Sequence, residues 1–84
     1  MMKSTLRRIA DKLKEDYESK PYDFWVALGP GAGFEATVDG KHVGVELVKN
    51  WEDEQQMEVE LYVYGPGPIS CRWHVSHLMV IKKP

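Results

Sequence analysis

The stretch Phe34-Glu35-Ala36-Thr37-Val38-Asp39-Gly40-Lys41-His42-Val43-Gly44-Val45 limits the fold of this 84-residue chain more than any other. Apolar and polar residues alternate on both sides of Asp39-Gly40, and the Asp-Gly pair accepts the positive φ angles of a two-residue hairpin turn. Such a turn fixes the pairing. It predicts Ala36 opposite Val43 and Phe34 opposite Val45, so that one sheet face is apolar and the other polar. The same alternation continues through Leu47 and again from Met57 to Tyr64.

The period differs before Pro21. Leu6, Ile9, Ala10, Leu13 and Tyr17 recur at helical spacing, which predicts a helix over about residues 4 to 19 with Ser4 as its N-cap. Between Pro21 and Gly29, Phe24, Val26 and Leu28 alternate with Asp23, Trp25 and Ala27, which reads as a strand over 22–28. Further strands are predicted over 34–38, 41–48, 56–64 and 70–81. Gly29 to Gly33 and Gly65 to Pro68 read as hairpin loops. The expected architecture is α+β, a single two-layer domain with the N-terminal helix on one face of a five-stranded antiparallel meander.

Matching apolar positions then fixes the remaining registers. Leu47 falls opposite Met57, Leu61 opposite Trp73 and Val63 opposite Cys71. On the outer face Trp25, Thr37, His42, Tyr62 and Arg72 form one row, and Ala27, Glu35, Gly44, Glu60 and His74 the next. Glu46 faces Glu58, a like-charge pair that does not serve stability.

Composition narrows the function classes. There is no long uncharged apolar run to span a bilayer, and the amphipathic N-terminus lacks the apolar core of a secretory signal. The single cysteine allows no internal disulfide, so the sequence predicts a soluble cytoplasmic protein. A formal net charge of −2 is not that of a general nucleic-acid binder. The charge is uneven, with the acidic excess concentrated between Glu35 and Glu60.

Cys71-Arg72-Trp73-His74-Val75-Ser76-His77 resembles a metal site in composition only. On a strand, Cys71 and His77 share a face but lie roughly 20 Å apart, and His74 points the other way. That geometry holds no tetrahedral zinc. The glycines at 29 to 33 are followed by strand-like Phe34-Glu35 rather than a helix with lysine, unlike a phosphate loop. A Glu60 and His74 pair orients an imidazole as a general base, but no nucleophile, oxyanion hole or deep pocket accompanies it. No catalytic residue, metal or cofactor is predicted.

Helix 1 followed by "KPYDFWVALGPGAGFEATVDGKHVGVELVKN" loosely resembles the first half of a double-stranded-RNA-binding domain. The chain then departs from that pattern, placing Trp51-Glu52-Asp53-Glu54 where the family has a basic turn and a second helix. The helix-then-meander order is also similar to cystatin-like folds, without their Gln-Val-Val-Ala-Gly segment. Neither resemblance carries a function to this chain.

The candidate binding residues are therefore Trp25, His42, Glu46, Trp51, Glu58, Glu60, Tyr62, Arg72 and His74. They suit a protein-binding or adaptor module that meets a partner with a basic patch through its outer sheet face and its acidic 46–60 region. One alternative is single-stranded nucleic acid stacking on Trp25 and Tyr62. Another is a homodimer through the last strand, where Leu78, Met79, Val80 and Ile81 are apolar on both faces.

Overall fold

The computed structural model describes residues 2–66 and 73–84. Helix α1 (Lys3–Glu18) and helix α2 (Tyr22–Leu28) precede strands β1 (Gly31–Val38), β2 (Lys41–Glu52), β3 (Gln56–Tyr64) and β4 (His74–Lys82). The strands form one antiparallel sheet in the order β1-β2-β3-β4. The α+β meander is as expected, with four strands rather than five.

The expected first strand is α2. Pro21 begins it with φ −67°, the value a helix start accepts, and Asp23 lies in its first turn, where a carboxylate meets the positive helix end. Gly29 ends it at φ 69°, a conformation that costs glycine little. With the segment helical, the supposed alternation of Phe24, Val26 and Leu28 has no meaning. Trp25 turns into the core at 0% exposure, and Val26 faces outward.

α1 buries Leu6, Ile9, Ala10 and Leu13 against the inner face of β3 and β4. Its N-cap is Met2 and not Ser4, which lies inside the first turn; no side chain caps that end. Packing holds the helix instead, as its spacing of apolar residues requires. Beneath it lie Val43, Val45 and Leu47 of β2, Met57, Val59, Leu61 and Val63 of β3, and Val75, Met79 and Ile81 of β4. Tyr17, Phe24 and Trp25 form an aromatic group over one end of this core, with the Phe24 and Trp25 rings edge-on at 5.0 Å.

The β1–β2 hairpin has the expected register, Phe34 opposite Val45 and Ala36 opposite Val43. Both turn residues take positive φ, Asp39 at 51° and Gly40 at 75°. β1 begins earlier than expected, because Gly31 to Gly33 are already paired with β2 and do not form a loop. A Cβ on Gly31 would collide with the Leu47 carbonyl, so that close approach requires glycine.

The other two registers differ from expectation by four residues. Leu47 faces Leu61, not Met57, and Leu61 faces His77, not Trp73. β2 runs on to Glu52 by way of a bulge between Lys49 and Trp51, and a tight turn follows. There the Asp53 carboxylate accepts hydrogen bonds from the backbone N–H groups of Gln55 at 2.8 Å and Gln56 at 2.9 Å. The longer strand moves every later pair. The last strand starts at His74, after the exposed Trp73; residues 70 to 72, with Cys71 and Arg72, lie outside the described residues.

Candidate binding face

Helices cover only one side of the sheet. The outer side presents His42, Glu46, Glu58, Glu60, Tyr62 and His74, all six on the face expected for them. A shift of four residues is an even number, so it changes partners without changing faces. Trp25 does not belong to this face, being in the core, and Arg72 lies outside the described residues.

The partners are new. Glu46 faces Tyr62, Glu60 faces Leu78, Glu58 faces Val80 and Trp51, and His74 faces Tyr64. Neither the like-charge Glu46 and Glu58 pair nor the Glu60 and His74 pair exists. The general-base arrangement expected from the latter is thereby removed.

Two clusters result. In the first, the Tyr62 and Tyr64 rings lie nearly parallel with centroids 6.3 Å apart, and the His74 ring is 6.1 and 5.7 Å from them. The Tyr62 hydroxyl donates to Glu60, and that carboxylate pushes the phenol pKa above its usual value. In the second cluster the Asn50 amide, carried outward by the bulge, donates to Glu58 at 3.0 Å and to Glu60 at 3.3 Å. One neutral amide thus separates two carboxylates. Asn50 was not foreseen; its signal is only the length mismatch between β2 and β3, invisible until the register is known.

Apolar side chains adjoin these carboxylates. Trp51 is 42% exposed, Leu78 56% and Val80 50%. On the first strand Glu35 holds His42 at 3.0 Å between its carboxylate and Nε2. Within the described part of this face the charged residues are Glu35, Glu46, Glu58 and Glu60 against the single lysine Lys82, so its field is negative.

The inner-face histidine behaves differently. His77 Nε2 lies 2.8 Å from the Asp11 carboxylate of α1, which makes it a helix-to-sheet contact. Among the described residues no three of His, Cys, Asp and Glu gather as metal ligands, and no helix is long and apolar enough to cross a membrane. Comparison of the chain with protein families, curated proteins and solved structures found no match.

Proposed function

We propose that this protein is a cytoplasmic, non-enzymatic binding module whose outer sheet face receives a basic, partly apolar segment of another protein. The observation that carries this reading is the juxtaposition on one face of Glu46, Glu58 and Glu60 with exposed Trp51, Leu78 and Val80. An exposed aromatic flanked by apolar side chains is what anchors a partner, and surrounding like charges select the partner by sign. The charge complement is a segment with lysine or arginine between apolar residues. Stacking of nucleic acid has less support, since Trp25 is buried and the face is acidic.

Selection of displayed random peptides on the wild-type domain tests this. The enriched peptides should be basic with interleaved apolar residues, and a Glu58→Gln, Glu60→Gln variant should bind them about fivefold more weakly, with reduced salt dependence. Enrichment without a basic bias, or equal affinity for the neutralised variant, overturns the reading.

A further inference from the structure

β4 ends the sheet on one side, and among the described residues no strand pairs with its other side. Two hydrogen bonds show which of its residues face that open side. Past one end of β4 the Lys83 N–H donates to the Gln55 carbonyl at 2.8 Å, and before the other end the Gly65 N–H donates to the Trp73 carbonyl at 2.9 Å. Between them the pairing of β3 with β4 keeps one register. In an antiparallel ladder alternate residues turn both backbone groups to the same neighbour, so the odd-numbered residues from Trp73 to Lys83 turn theirs to β3. His74, Ser76, Leu78, Val80 and Lys82 turn theirs to the open side, and their side chains stand exposed on the outer face.

Nothing on β4 guards this edge. Between His74 and Ile81 it has no acid, lysine, arginine, glycine or proline, and no bulge twists it away. On the neighbouring strand Glu60 stands beside Leu78 and Glu58 beside Val80. Both carboxylates accept from Asn50, and Glu60 also accepts from Tyr62. A carboxylate has about four lone-pair sites, so each keeps room for a cation. On the helix side of the same edge a depression of about 460 Å³ opens between Pro21 and Tyr22 and the end of β4 at Val80 to Lys82.

We propose that the docked segment joins the sheet as a fifth strand, antiparallel to β4. This rests on the docking reading and specifies its mode of contact. The sheet is antiparallel throughout, and antiparallel pairing is the slightly stronger kind. The open N–H and C=O groups of β4 supply main-chain bonds, and alternate side chains of the segment supply selection. Residues directly opposite one another point to the same face, so those opposite Leu78 and Val80 stand on the outer one. The added strand lies two spacings, about 10 Å, from β3. A lysine or arginine crosses that span with its stem on Leu78 or Val80 and its charge toward Glu60 or Glu58. The intervening residues point to the helix side, where the depression beside Tyr22 receives an apolar one. Basic and apolar residues in alternation are the pattern this edge selects.

The test is nuclear magnetic resonance of the isotope-labelled whole chain with a short acetylated peptide of alternating arginine and valine. In the free protein the Ser76, Leu78 and Val80 amides should exchange rapidly with solvent and those of His77 and Met79 slowly; bound peptide should slow the first three at least about tenfold. In the proposed pairing the arginine amides face β4 and the valine amides face solvent. N-methylation of the arginine amides should therefore weaken binding at least about tenfold, and N-methylation of the valine amides should leave it unchanged. Absence of binding, binding that leaves the three amides fast, or binding indifferent to N-methylation of the arginines overturns strand addition. Amides that are slow in concentrated protein alone and fast on dilution overturn it too, since a second copy then holds the edge. Where strand addition falls but the Glu58→Gln, Glu60→Gln variant still loses displayed basic peptides, the docking face stands without it; where that variant binds them equally, both fall.

Discussion

Tyr62 and Tyr17 show how neighbouring groups give the same residue type the same shift for different reasons. Tyr62 is held protonated by the Glu60 carboxylate that accepts its hydrogen bond; Tyr17 is held protonated mainly by burial, with Asp16 adding to it. Both pKa values lie above the ordinary tyrosine value of about 10. The stability linked to these neutral phenols is fully present below that value and is lost as pH rises through the raised ones. An ultraviolet titration should therefore show part of the tyrosine absorbance appearing late. Glu60→Gln removes the acceptor charge and should return the Tyr62 share to the ordinary range while leaving the Tyr17 share late. A single unshifted transition for all the tyrosines would contradict the contact between Tyr62 and Glu60.

Among the elements, the turn and register of the β1–β2 hairpin were legible because Asp39-Gly40 sets both within a few residues of chain, while the far ends of its two strands were not. α1 was legible from the spacing of Leu6, Ile9, Ala10 and Leu13. The β2–β3 register was not, because apolar residues alternate on both strands and several even shifts match them equally well. What decides between the shifts is the Asn50 bulge and the Asp53 turn, neither of which alternation can express. His42, Glu46, Glu58, Glu60, Tyr62 and His74 keep the face expected for them although the pairings changed, because even shifts keep faces. α2 is too short for a clear helical period, but Pro21, Asp23 and Gly29 mark its ends as helix boundaries. Trp25 is the attachment of α2 to the sheet. Trp25→Ala should cost about 3–5 kcal/mol in a denaturant titration, whereas Trp51→Ala on the outer face should change stability by no more than about 0.5 kcal/mol. Comparable losses for the two would return Trp25 to the surface.

For the whole molecule, the two edges of the sheet differ. β1 carries Gly31, Gly33 and Glu35, which discourage pairing with another strand, while β4 has no Asp, Glu, Lys, Arg, Gly or Pro before its last residue, Lys82. A two-fold axis at Met79 would set Leu78 of one copy opposite Val80 of the other, twice over. Self-association through β4 is thus the second reading of the apolar part of the outer face. Sedimentation at increasing concentration should reveal it, and Val80→Lys should shift the distribution to monomer at unchanged fold; a wild type that stays monomeric at high concentration excludes it. The seating of α1 on β3 and β4 has a consequence for how the chain is made. Synthesis releases α1 before the strands it packs on, so the native cover of Leu6, Ile9 and Leu13 is incomplete on the ribosome until Val75, Met79 and Ile81 have emerged. α1 must wait for β3 and then β4 before its apolar stripe is fully hidden, and during that wait a chaperone or the nascent β1–β2 hairpin can shelter it.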